Sequence, residues 1–157
     1  MEVWTKTPSS RGLSGRRSKD TAPELHLRRA LHAAGGRFRL HRRLGPGCTP
    51  DLVLPRRRVA VFVDGDFWHG CPKHFGHRAV GGPNATLWAT KFVAVRERDL
   101  RATHLAEAAG WLVVRVWECE VWADATAVAA RILNAPRTAS ERRDDTPSAL
   151  GPVRPCG

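Results

Sequence analysis

The apolar positions of this chain fall into separate runs with different periods. Leu25, Leu27, Ala30, Leu31 and Ala34 recur at helical spacing between Thr21-Ala-Pro-Glu24 and Gly35-Gly36. Thr21 suits an N-cap, Pro23 the first turn and Glu24 the capping-box position, so a helix is expected between these signals. Arg37-Phe-Arg-Leu-His41 alternates polar and apolar residues, the period of a half-buried strand. After the turn Pro46-Gly-Cys-Thr-Pro50 comes a short strand, Asp51-Leu-Val-Leu54. Val59-Ala-Val-Phe-Val63 is apolar throughout, as a strand covered on both faces would be. Pro55-Arg-Arg-Arg58 leaves room only for a tight connection, so the two strands are expected to form a hairpin. A glycine- and proline-rich loop runs from Asp64 to Pro83, followed by a long helix from about Ala85 to Ala109. A β-branched strand from Trp111 to Trp117 and a helix from about Ala123 to Leu133 complete the pattern.

This order predicts an α/β fold with a mixed central β-sheet flanked by helices. The strand–helix–strand crossover places 59–63 and 111–117 parallel. The runs divide the chain into a flexible basic arm over 1–20, a folded domain over 21–134 and a Pro-, Arg- and Ser-rich tail over 135–157 with no expected order.

Charge adds a partner. In 157 residues, 26 Lys+Arg stand against 15 Asp+Glu, a formal charge of +11, which points to a polyanion, nucleic acid first. No apolar run approaches the roughly 20 residues of a membrane span, and no secretory h-region is visible. A cytoplasmic protein with no membrane partner is therefore expected. Cys48, Cys71, Cys119 and Cys156 are irregularly spaced and do not read as a disulfide framework; ligands or buried thiols fit better.

The chemistry concentrates in residues 62–77, FVDGDFWHGCPKHFGH. Asp51 opens one strand of the hairpin and Asp64 closes the other. Carboxylates and a backbone carbonyl at such an edge form an oxygen cradle for Mg²⁺, which can flank a phosphodiester. The plainer reading of Asp51 is a strand-opening residue bonded to nearby amides. His69 lies just beyond this edge, and imidazole can take or give a proton near neutrality. Asp99 on the long helix is the candidate to orient it, unless it merely pairs with a neighbouring arginine. Phe67-Trp68 is either a satellite core under the loop or a wedge for entering a base stack, with Trp88 able to join it.

Taken together, these residues resemble one family. Asp51-Leu-Val, the run Val-Ala-Val-Phe-Val-Asp-Gly with Phe67-Trp-His-Gly-Cys-Pro72, then Trp88, Lys91, Arg98-Asp99 and Trp117-Glu-Cys119 look like the very-short-patch repair (Vsr) endonucleases. The resemblance covers roughly residues 10 to 134. It implies a restriction-endonuclease-like, PD-(D/E)xK-type core and single-strand nicking 5′ to the T of T:G mismatches, which arise when 5-methylcytosine deaminates. It implies Mg²⁺ on Asp51 and the Val63 carbonyl, proton transfer by His69 with Asp99 near it, and help from Glu24 through the metal-water shell. Phe67, Trp68 and Trp88 would intercalate beside the mismatch, and the N-terminal arm would reach the minor groove. A structural Zn²⁺ would be held by Asp66, Cys71, His74 and Cys119, with His77 nearby. Implied partners are mismatched double-stranded DNA and mismatch-repair proteins, for a nucleoid-associated monomer.

Two departures bear on chemistry. Asp66 stands where the PD-(D/E)xK pattern has lysine, and also where the family has a zinc-binding cysteine. Two other readings stay open: a PD-(D/E)xK-type nicking nuclease of a restriction or defence system, and a catalytically silent DNA-binding module with a zinc-braced loop.

Overall fold

A mixed four-stranded sheet with helices on both faces forms the body of the protein, seen in a computed structural model that describes residues 19–74 and 82–136. The elements are α1 (Ala22–Ala33), β1 (Arg39–Leu40), β2 (Leu52–Leu54), β3 (Val59–Asp64), α2 (Ala85–Ala108), β4 (Leu112–Trp117) and α3 (Glu118–Leu133). They lie in the order β1-β2-β3-β4. The hairpin β2–β3 is antiparallel and β3–β4 is parallel, with Asp64 opposite Trp117. The expected α/β sheet is therefore present, and α2 is the crossover. The basic arm, His77, Cys156 and nearly all of the C-terminal tail lie outside the described residues.

Strand alternation sorts the core into two layers. Val59 and Val61 face α1 and α3, where they pack with Leu27, Leu31, Val128 and Ile132. Ala60 and Phe62 face α2, where they meet Cys48, Ala102, Ala106 and Trp111. Because successive side chains leave a strand on opposite faces, Val63 and Asp64 must also diverge. Only Ala102 and Ala106 of α2 are buried, so this helix meets the sheet through its carboxy-terminal half. Gly110 ends it with a φ of 79°, and Arg58 donates to the Ala109 and Gly110 carbonyls at 2.6 and 3.0 Å. Arg58 thus caps the helix end with a cation, favourable for both the orphan carbonyls and the dipole.

Three local expectations change. The strand expected over Arg37–His41 pairs only at Arg39–Leu40, because His41 turns into a positive φ of 46°. The last helix begins at Glu118 rather than Ala123: Glu120 accepts the Trp117 amide at 2.8 Å and starts the helix directly at the strand end. The backbone breaks at Asp124, whose carboxylate then accepts the Ala127 amide at 2.9 Å, so the expected start marks a second cap inside one helix. At α1, Thr21 makes no side-chain cap. Its hydroxyl and the Asp20 amide instead donate to Glu24 at 2.9 and 3.0 Å.

Candidate active site and metal centre

The carboxyl ends of the parallel strands β3 and β4 converge with the start of β2, and the polar residues of interest gather at this edge. Asp51 accepts the Val63 amide on Oδ2 at 2.7 Å, while its own amide donates to the Val61 carbonyl at 3.0 Å. The N–H and C=O of one strand residue leave on the same side, so the Val63 carbonyl points from β3 toward Asp51. Burial raises the Asp51 carboxyl to about 6; the Val63 hydrogen bond opposes the rise and the charge of Glu24 adds to it. A half-buried carboxylate beside a carbonyl, with its charge disfavoured by burial, is a donor set that fits a hard divalent cation.

Glu24 comes near this edge but is committed elsewhere. Its carboxylate takes the Asp20 amide, the Thr21 hydroxyl and Arg28 Nη2 at 3.0 Å. Arg28 also binds Asp20 at 2.6 Å and lies 3.3 Å from His41 Nε2. A guanidinium therefore fills the middle of the Asp20–Glu24–His41 group, which is an ion-pair network rather than a metal cage. Glu24 bears on Asp51 through its charge.

Asp64 carries a partner that the sequence reading left out. It sits on the α2 face of β3, and its charge adds to the rise of the Asp51 carboxyl. Arg115 Nη1 reaches both of its oxygens, at 2.7 and 2.8 Å. Burial raises the Asp64 carboxyl, and the Arg115 and His69 charges oppose that rise.

His69 lies between two acids. Its Nδ1 is 2.5 Å from Asp99 Oδ2 and 3.5 Å from Asp64 Oδ1. Asp99 thus pairs with His69 across the loop, not with Arg96 or Arg98. Ionised carboxylates only accept, so in the neutral ring Nδ1 is the donor to Asp99 and Nε2 is the nitrogen that can receive a proton.

The loop residues Asp66, Cys71 and His74 meet Cys119 at the start of α3, with one potential ligand atom from each lying within 4.8 Å of the others. The Cys71 and Cys119 sulfurs are 3.8 Å apart. Tetrahedral Zn–S bonds of about 2.3 Å require sulfurs about 3.8 Å apart, so the pair fits. His74 Nδ1 is 3.7 Å from the Cys71 sulfur and 3.0 Å from Asp66 Oδ2. The other oxygen of Asp66, Oδ1, receives the Cys119 amide at 3.4 Å, and the Asp66 amide donates to Glu118 at 3.0 Å. Asp66 therefore has two oxygens with two uses: one caps the first turn of α3 and one faces the ligand cluster. Burial pushes the Cys119 thiol up to about 12, and Asp66 and Cys71 push the same way.

Phe67, Trp68, Trp88 and Phe92 form a half-buried aromatic group between this loop and the amino-terminal half of α2. Phe67 meets Trp68 and Trp88 edge-on, with centroids 5.3 and 5.0 Å away. Lys91 Nζ sits 4.9 Å from the Trp68 ring and 5.4 Å from that of Trp88. Such edge-to-face pairs are each worth about 0.5–1.5 kcal/mol beyond the area they bury.

Sequence reasoning passed over Arg115, Arg28, His41 and Glu118. For Arg115 a signal was available: it is the one charge in the otherwise apolar run 111–117.

A mixed α/β sheet whose strand ends gather a carboxylate, a backbone carbonyl and an acid-held imidazole is the arrangement of the restriction-endonuclease-like class. Comparison with known proteins agrees. A family described as DNA mismatch endonuclease Vsr matches residues 1–74. A type II nicking enzyme of Xanthomonas oryzae is 47% identical over 120 residues, covering 75% of this chain and 84% of that protein. A type II nicking enzyme of Lentzea aerocolonigenes is 41% identical over 129 residues, covering 80% and 76%. The DNA mismatch endonuclease Vsr of Escherichia coli is 32% identical over 118 residues, covering 75% and 74%. The chain belongs to the Vsr family of DNA endonucleases. It is a DNA-nicking enzyme, and among the described residues no helix is long and apolar enough to cross a membrane.

Proposed function

We propose that this enzyme nicks one strand of duplex DNA 5′ to the T of a T:G mismatch and so initiates very short patch repair. The observation that carries this reading is the Phe67–Trp68–Trp88 group, built from the loop that holds His69 and the start of α2. A wedge there can unstack a weak step while its neighbour addresses the adjacent phosphate, and unstacking costs least at a mismatch. Asp51 and the Val63 carbonyl would hold the catalytic cation, for which Mg²⁺ is the best-suited ion, and it would supply Lewis-acid stabilisation of charge at the phosphodiester. His69 accepts a proton at Nε2 from the attacking water, and Asp99 keeps the opposite proton on Nδ1. Glu24 adds negative charge behind Asp51. Asp66, Cys71, His74 and Cys119 would hold a structural Zn²⁺ and so brace the wedge. The working unit is the domain 21–134, acting as a monomer in the cytoplasm at the nucleoid, with mismatch-repair proteins as its partners.

The test is nicking of end-labelled duplexes carrying T:G, U:G or matched pairs, with Mg²⁺ and with EDTA. Cleavage of T:G that needs the cation is expected. A second reading is favoured by the relatives named type II nicking enzymes: cleavage directed by a sequence or base modification in matched DNA. Site-defined nicking of the matched duplex, with T:G ignored, would establish that reading instead.

Trp68→Ala is expected to lower the preference for mismatched over matched duplex about tenfold, since stacking one base on an aromatic is worth about 1–3 kcal/mol. Competition binding with both duplexes measures it. Equal weakening on both would mean that Trp68 only packs.

A further inference from the structure

We propose that Arg115 is a positioning residue for the nicking reaction, fixing the two carboxylates that flank His69. The inference rests on the proton-transfer reading of His69 given above. Arg115 stands on β4 opposite Phe62 of β3, and its guanidinium carbon lies 4.6 Å over that ring. From there one guanidinium grips two elements. Nη1 donates to both oxygens of Asp64, at 2.7 and 2.8 Å. Nη2 donates to the Asp99 carbonyl at 3.1 Å and lies 3.7 Å from Asp99 Oδ1. Nε donates to the Thr103 hydroxyl, one turn further along α2, at 3.2 Å. The end of β3 and two successive turns of α2 are thereby tied to one planar group.

His69 Nδ1 sits inside this frame, close to Asp99 Oδ2 and 3.5 Å from Asp64 Oδ1. Two carboxylates converging on one nitrogen repel each other, and the guanidinium offsets that repulsion. It also sets their direction. The planar fork fixes several acceptors at once, whereas a lysine would place a single flexible charge among them. If the acids drift, Asp64 competes with Asp99 for Nδ1 and the ring loses its fixed direction. Misplacement of a reacting group by about 1 Å can cost about 100-fold in rate.

The test combines single-turnover nicking of the T:G duplex with Mg²⁺, binding of the same duplex in EDTA, and the ¹⁵N spectrum of the histidines. Matched plasmid DNA replaces the duplex if that is what wild type nicks. Arg115→Met is expected to slow nicking about 10- to 100-fold, the usual loss when an outer partner of a site is removed. Duplex affinity stays at the wild-type value, and the His69 ¹⁵N pattern moves away from the Nδ1–H form. Arg115→Lys, which keeps charge and bulk, recovers only part of the rate, and it serves as the test variant if Arg115→Met does not fold. Wild-type nicking by Arg115→Lys and Arg115→Met would overturn the proposal, as would slowed nicking with an unchanged His69 pattern. His69→Ala separates the two levels. Wild-type nicking by His69→Ala removes the proton-transfer reading itself. An inactive His69→Ala beside a fully active Arg115→Met removes only the role of Arg115.

Discussion

Asp51→Asn is expected to reduce nicking by about 1,000-fold or more while leaving duplex binding close to wild type. A bound cation contributes several kcal/mol of transition-state charge stabilisation, and about 4 kcal/mol corresponds to about 1,000-fold. Asparagine can still accept the Val63 amide, so the strand edge should survive and the loss should report on chemistry. Single-turnover rates and gel-shift affinities on one duplex measure the two effects. Persistent nicking by the variant would sink the mechanism built on Asp51.

The same substitution carries a pH signature. The Asp51 carboxyl is raised to about 6 in the fold, above its ordinary value of 3.8. In metal-free protein the folded state therefore holds this proton longer than the unfolded chain does. That contribution to stability is fully present below the unfolded value and is lost as pH rises through about 6. Wild type should lose on the order of 1–3 kcal/mol across this window through Asp51, at about 1.4 kcal/mol per pKa unit. Asp51→Asn should lack this decline, so at neutral pH the metal-free variant is the more stable protein. Saturating Mg²⁺ should narrow the gap, because the cation favours the carboxylate. Urea titrations at several pH values, with and without Mg²⁺, measure this. A variant less stable than wild type at pH 7 without cation would contradict the direction.

Cys119→Ala is expected to abolish zinc binding and to lower the thermal midpoint by about 10 °C, the scale of a loss of several kcal/mol in a domain of this size. Cys119 joins the loop after β3 to the first turn of α3, so its loss frees both ends of the brace. Its thiol stands at about 12 without metal, so binding must release protons, and affinity should fall as pH is lowered. Asp66 should behave differently from Cys119. Asp66→Ala loses a helix cap worth about 1 kcal/mol along with one oxygen donor, leaving the two thiols and His74. Asp66→Cys should tighten zinc binding by supplying a thiolate, and should give up the cap. Metal analysis and calorimetric melting of the three variants test the site. Unchanged zinc content in Cys119→Ala would rule out the brace, and unchanged content in Asp66→Ala would rule out Asp66 as a needed ligand.

The acidic hairpin, the parallel partner of β3 and the crossover helix were legible because period and turn residues are local signals. The start of α3 was less so. Glu118 to Val121 continues the strand without a turn residue, and Asp124 offers a capping signal that competes with the true start. The grouping of Asp66, Cys71, His74 and Cys119 was implied by family resemblance, not by spacing, since Cys119 lies 48 positions from Cys71.

By itself the sequence determined the sheet elements, the approach of Asp51 to the end of the next strand, and the crowding of aromatic, imidazole and thiol groups into one loop. Strand alternation even required Val63 and Asp64 to part. Only the tertiary structure decided where Asp64 went: to Arg115, with His69 and Asp99 beside it. It also gave Asp66 a helix to cap. Both outcomes depend on how β4, α2 and α3 dock against β3. That docking is set by contacts between residues about 50 positions apart, as in the Asp64–Arg115 pair at a separation of 51, and local periodicity carries no information about them.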